Sequence, residues 1–227
     1  DLAAHAVEPA ARKRAALLLD LLLPVAKTFP AERGFESNAL AVQVHGGYGY
    51  TAEYMPEAWL RDQKLNSIHE GTSGIQAMDL LGRKAMAEGG ASLFLLGEEI
   101  RTTVERAARA GVDPALGAAL SAAVSEVGAL TAELGARGLA GDREGLLLHA
   151  ADYMDLFSTV VIAWQWLVQA AAAREGMERD PASRDFYSGK QAACAYWFQT
   201  ELPRVAHLTA RCRDFDAPYA RVRAEEL

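Results

Sequence analysis

Apolar residues recur at helical spacing along almost the whole chain, and no stretch alternates apolar with polar residues for long. That regularity excludes a half-buried sheet and demands helices packed on helices, an all-α fold. Glycine and proline punctuate the pattern. Residues 8–28 read as an Ala/Leu-rich helix that Pro24 should kink or break. Residues 36–45 read as a second helix, stopped at Gly46-Gly47, where glycine supplies the positive φ a helix end often needs. Pro56 suits the first turn of a third helix running to about Lys64. Thr72 reads as the N-cap of a fourth, with Ile75, Met78 and Leu81 on its apolar side.

Gly89-Gly90 marks a change of composition and divides the chain into an antiparallel helical bundle at 1–89 and a second helical domain at 90–227. Four long helices are expected beyond it. The first spans about 92–110, and the second starts at Asp113-Pro114 and runs to about Arg137. The third follows Gly141-Asp142 and reaches about 174; the fourth follows Asp180-Pro181 and continues to about 213. With 227 residues, 51% of them hydrophobic, there is ample apolar surface for one large helical core or two smaller ones.

The net charge of −7, from 23 basic and 30 acidic residues, argues against nucleic acid and against an anionic membrane surface as partners. Arginines gather near the C-terminus (Arg204, Arg211, Arg213, Arg221, Arg223), but interleaved acids make a solvated helix face the expected reading. No apolar run reads as long enough to span a membrane, so no membrane association is expected. Cys194 and Cys212 lie in apolar helical context without a CxxC spacing, which suits two reduced core thiols and a cytoplasmic protein. His5, His149 and His207 are scattered without metal-ligand spacing, and Trp164, Trp166 and Trp197 sit at core or interface spacing.

Two short segments carry chemistry. In Gln43-Val44-His45-Gly46-Gly47-Tyr48-Gly49-Tyr50, glycines let a ligand approach the backbone, and successive exposed amides can make an anion-binding concavity. The same glycines also serve as a helix stop. Downstream, Ile68-His69-Glu70-Gly71-Thr72-Ser73-Gly74-Ile75-Gln76 sets one carboxylate on a tight turn before a helix. No lysine or arginine follows Lys64 nearby, and burial among apolar groups would raise the basicity of Glu70 enough to take a proton from carbon. A glutamate in a first helical turn can equally do no more than favour the helix dipole. The Thr72 hydroxyl can cap its helix, bond a ligand, or both.

In this order and spacing the two segments resemble the C-terminal region of acyl-CoA dehydrogenases, over roughly residues 10–87. The resemblance implies that Gln43, Gly46, Gly47 and Gly49 lie on the pyrophosphate of FAD. It implies that Glu70 removes the α-proton of an acyl-CoA thioester while the flavin takes the β-hydride, giving a trans-2-enoyl-CoA. Thr72 would touch the cofactor. Relatives carry glutamine two residues after that threonine, where this chain has Gly74, so Gln76 is expected to replace the contact. His69 stands where many relatives carry tyrosine. An electron-transferring flavoprotein is the implied electron acceptor. A homodimer or tetramer is implied as well, with the glycine segment facing a neighbour's FAD. Residues 91–227 resemble the extra helical domain of a long subclass that includes enzymes acting on 3-methylmercaptopropionyl-CoA. The family's N-terminal helical domain and middle β-domain have no counterpart here, and the chain opens on Asp1-Leu2, so it reads as the C-terminal piece of a longer subunit. The competing readings are a catalytically silent helical assembly subunit and an acyl-CoA oxidase.

Overall fold

A computed structural model describes residues 2–215 and 218–226; Asp1 and Leu227, the outer limits of the two expected domains, lie outside them. Its contacts divide the chain at Ser92/Leu93 into two compact units. No strand occurs among the described residues.

The first unit contains α1 (Leu2–His5), α2 (Pro9–His45), α3 (Pro56–Ile68) and α4 (Ser73–Asp79). The helices expected at 8–28 and 36–45 are a single element of 37 residues, which runs through both Pro24 and Pro30. An interior proline removes one backbone hydrogen bond and crowds the preceding turn, at a cost of about 3 kcal/mol. Packing overrides it here. Leu21, Pro24, Val25, Thr28 and Ala31 form one buried stripe, and each fully buried aliphatic side chain stabilises by roughly 1.5–3 kcal/mol. α3 runs antiparallel to α2: Asn38 Nδ2 donates to the Trp59 carbonyl at 3.1 Å, and Gln63 Nε2 donates to the Pro30 carbonyl at 3.1 Å. Gly34 permits that crossing, since a Cβ there would stand 2.6 Å from Gln63 Nε2.

The fourth helix corrects its expected face. Leu81 is buried, but Ile75 and Met78 are 53% and 43% exposed. The helix proper ends at Asp79 and passes into a wider π turn, Leu80–Lys84. The buried positions become Ala77, Leu80, Leu81 and Lys84. Lys84 is paired there: its Nζ donates to the Asp20 carbonyl and to Asp20 Oδ1, both at 2.9 Å, with Asp79 Oδ2 at 3.7 Å. Arg83 adds a two-pronged bond to Asp79, at 2.7 and 2.9 Å.

The second unit begins within the first turn of α5 (Ala91–Arg109) and continues through α6 (Pro114–Leu139), α7 (Arg143–Leu147), α8 (Ala150–Arg179), α9 (Arg184–Thr200) and α10 (Arg204–Arg213). The third and fourth expected helices are each broken once. α7 stops at Leu147 before α8 starts, and Pro203 separates α9 from α10. α8 is the spine of this unit, with Tyr153, Phe157 and Leu167 fully enclosed. Tyr153 OH and Thr131 Oγ1 bond at 2.6 Å across α6 and α8. Trp164 Nε1 donates to Thr103 Oγ1 at 2.8 Å, tying α8 to α5. α9 lies antiparallel on α8, where Gly176 admits the Tyr187 ring and Gln191 Nε2 donates to the Ala170 carbonyl at 2.6 Å.

One expectation holds with an addition, and one needs correction. Arg211, Arg213, Arg221 and Arg223 are exposed, as a solvated face requires, but ion pairs between helices also hold part of this cluster. Arg204 bonds Asp155 at 2.7 Å, and Arg213 bonds Glu133 at 2.7 and 2.8 Å and Glu126 at 2.5 Å. In addition, α6 and α8 are both long and apolar enough to cross a membrane by length and composition. The core helix of a helical domain meets the same criterion, and 61% of the most apolar window of α8 is buried by its own neighbours.

Candidate functional site

The glycine segment ends α2. Gly46 takes φ +59, and its N–H returns to the Gln43 carbonyl as a helix cap. Gly46–Tyr50 then form a tight 3-10 turn. The three glycines divide in role. Gly49 is buried, and a Cβ on it would stand 2.5 Å from the Val42 carbonyl oxygen, so it allows the turn to fold back on the helix. Gly46 and Gly47 face outward, with nothing within 4 Å of a Cβ. Gln43 is exposed on the last turn of the helix. Tyr48 stacks at a tilt on Tyr54, with ring centroids 5.4 Å apart, while Tyr50 is largely exposed. An open turn of glycine backbone beside an exposed carboxamide suits a diphosphate group, so these residues fit the FAD that the sequence implies.

Glu70 lies in the turn between α3 and α4, and that turn is fastened on both sides. On the α3 side, the His69 N–H and the His69 Nδ1–H both donate to the Leu65 carbonyl, at 3.1 and 2.7 Å. On the α4 side, Thr72 Oγ1 accepts a long 3.5 Å bond from the Ile75 N–H, as expected of the cap. Ser73 Oγ donates to Glu32 Oε1 on α2 at 2.5 Å. Gly71 adopts φ +74, and a Cβ there would meet Gln76 Nε2 at 2.5 Å. The Gln76 amide is therefore laid back over the Gly71 turn. The burial expected for Glu70 is not supplied by this chain: the residue is exposed. Leu65 and Ile68 before it in the chain, and Ile75 and Met78 after it, are exposed apolar residues.

The structure brings the predicted residues together in two groups. Gln43, Gly46, Gly47 and Gly49 form one; Glu70, Thr72 and Gln76 form the other. α3, with 13 residues and hence about 20 Å of helix, lies between them in sequence. The sequence reading gives no role to Glu32, Gln63 or Ser73. Their partners lie 41 and 33 residues away along the chain, and no local pattern marks them.

Residues 2–86 match the family described as acyl-CoA dehydrogenase, C-terminal domain, and residues 96–222 match the family described as acetyl-CoA dehydrogenase C-terminal like. The chain belongs to the acyl-CoA dehydrogenase family. A broad-specificity linear acyl-CoA dehydrogenase of Mycobacterium tuberculosis is 28% identical over 198 residues, which is 84% of this chain and 32% of that protein. A 3-methylmercaptopropionyl-CoA dehydrogenase of Ruegeria pomeroyi is 40% identical over 111 residues, 49% of this chain and 19% of its own length. A caffeyl-CoA reductase-Etf complex subunit of Acetobacterium woodii is 47% identical over 58 residues, 26% of this chain and 15% of that subunit. The chain thus spans a third or less of the length of these acyl-CoA dehydrogenase relatives.

Proposed function

We propose that this chain is the C-terminal part of a flavin-dependent acyl-CoA dehydrogenase and that Glu70 is its α-proton base. The observation that carries the proposal is an exposed carboxylate on a turn whose backbone is held at both flanks. In the reaction, a Glu70 oxygen takes the proton from Cα of the thioester. The β-carbon loses a hydride, and the Cα–Cβ double bond of a trans-2-enoyl-CoA forms. FAD, when bound, is the hydride acceptor. Gln43 and the open backbone of Gly46 and Gly47 bind its diphosphate, with Gly49 folding the turn into place. Thr72 and Gln76 border the cofactor near the base. The length of α3 between the two groups supports a reading in which the glycine turn serves a neighbouring subunit's FAD, within a homodimer or tetramer. Exposed Ile68, Ile75 and Met78 offer apolar surface that parts of the subunit beyond this chain would cover, drying the cleft around the base.

We further propose an electron-transferring flavoprotein as oxidant of the reduced enzyme, supported by the Etf complex named for one relative. A cytoplasmic location draws its support from two buried free thiols, Cys194 and Cys212. The test is an anaerobic titration of the full-length, flavin-loaded subunit with saturated acyl-CoA thioesters. One or more should bleach the visible flavin band, and Glu70→Gln should abolish bleaching with flavin content unchanged. Bleaching that survives in Glu70→Gln would refute the assignment of the base.

A further inference from the structure

Glu32 is not part of either motif, yet from α2 it reaches the turn that carries Glu70. Its Oε1 accepts the Ser73 hydroxyl at 2.5 Å, and Lys64 Nζ lies 4.0 Å from its Oε2. Ser73 is the first residue of α4, three beyond Glu70, and a serine there has no capping duty because Thr72 already holds that position. The bond therefore serves to tether the start of α4 to the longest helix of the unit. On the opposite flank, the end of α3 is closed by His69, and α3 itself is seated on α2 through Gln63 and Gly34. Between these two anchor points only Glu70, Gly71 and Thr72 remain. Gly71, at φ +74, has the freedom to reorient if either anchor is released.

We infer that Glu32 is a positioning residue: through Ser73 it fixes the backbone from which the Glu70 carboxylate projects. The inference rests on the role proposed for Glu70. A base must stand within hydrogen-bond reach of the proton it removes, and a misplacement of about 1 Å can cost about a hundredfold in rate. Glu32 acts by accepting one hydrogen bond, so an uncharged acceptor of the same length serves equally. That requirement separates it from a general electrostatic or packing role.

The experiment uses the full-length, flavin-loaded subunit with Glu32→Ala, Glu32→Gln, Ser73→Ala and the double alanine variant, and Glu70→Gln as control. Two readouts are taken: hydrogen exchange, without thioester, of the amides of 75–77, where the Ile75 and Gln76 N–H groups bond Thr72 at the start of α4, and the rate and midpoint of flavin bleaching by butyryl-CoA and octanoyl-CoA. Each alanine variant should speed exchange across 75–77 and slow bleaching by about 10- to 100-fold at saturating thioester, with the midpoint unchanged. The double variant should be no worse than either single, and Glu32→Gln should restore both readouts. Wild-type exchange and rates in Ser73→Ala, the mildest change, would overturn the inference, as would multiplicative losses in the double variant. If Glu70→Gln still bleaches, the base assignment falls and the positioning role with it, while the exchange data still report whether the tether exists.

Discussion

Replacing Gly71 with alanine tests the geometry of the Glu70 turn most directly. The residue sits at φ +74, where a non-glycine residue is strained by about 1–2 kcal/mol. A Cβ would also stand 2.5 Å from Gln76 Nε2. That atom is the far end of a flexible side chain, so it can swing away, at about 0.5–1.5 kcal/mol for leaving its preferred rotamer. Alanine also restricts the unfolded chain and returns about 0.4–1 kcal/mol. The net destabilisation is about 2 kcal/mol. Urea unfolding of the intact protein, followed by circular dichroism, should show a midpoint lower by about 1 M, for a slope of about 2 kcal/mol per molar. A Gly71→Ala/Gln76→Ala double variant removes the collision and keeps the backbone strain, so it should be less destabilised than the two singles together. A Gly71→Ala midpoint equal to wild type would refute the positive-φ turn. Strict additivity in the double variant would refute the placement of Gln76 over Gly71.

Three further outcomes are expected. Gly176→Ala should cost about 1–3 kcal/mol, because its Cβ would meet Tyr187 ring atoms at 2.5 and 2.6 Å, whereas Gly189→Ala, with nothing within 4 Å, should stabilise by about 0.5–1 kcal/mol; thermal melts of both variants decide. Asp79 is held below its ordinary 3.8 chiefly by hydrogen bonds from Arg83. Its contribution to stability is therefore complete above that value and is lost as the pH falls through the lower folded one, so Asp79→Asn should destabilise near neutrality, with the gap to wild type closing as the pH is taken below 3.8. Burial pushes the Cys194 thiol up to about 11 and that of Cys212 up to about 12, so iodoacetamide at about pH 8 should leave both unmodified, by mass spectrometry, until the chain is unfolded.

The helical class was legible because its signal is local. The period of the apolar residues and the caps at Thr72, Asp113 and Asp142 need no knowledge of distant partners, and the structure has each as a cap. Pro24 does not break its helix, for the complementary reason. Its local cost is written in the sequence, while the burial that outweighs it depends on α3 and α4, which arrive later in the chain. The face of α4 was misjudged because apolar character marks it poorly: Ile75 and Met78 are exposed, while the packed side holds the small Ala77 and the charged Lys84. At the candidate site, glycines and a flanked carboxylate stand out as a pattern. The bonds that hold them do not: Ser73 to Glu32 and Lys84 to Asp20 join residues 41 and 64 positions apart, and either partner alone reads as an ordinary surface residue.

Glu32 and Gln43 ride on one uninterrupted helix, α2. Each residue of an α-helix advances the chain by about 1.5 Å and rotates it by about 100°. The interval between them therefore sets an angular phase as well as a distance. Substitutions on its exposed side leave that phase untouched. A single-residue insertion or deletion would swing the glycine turn through more than a quarter of a circle relative to the tether at Ser73. The segment is tolerant in composition and locked in length.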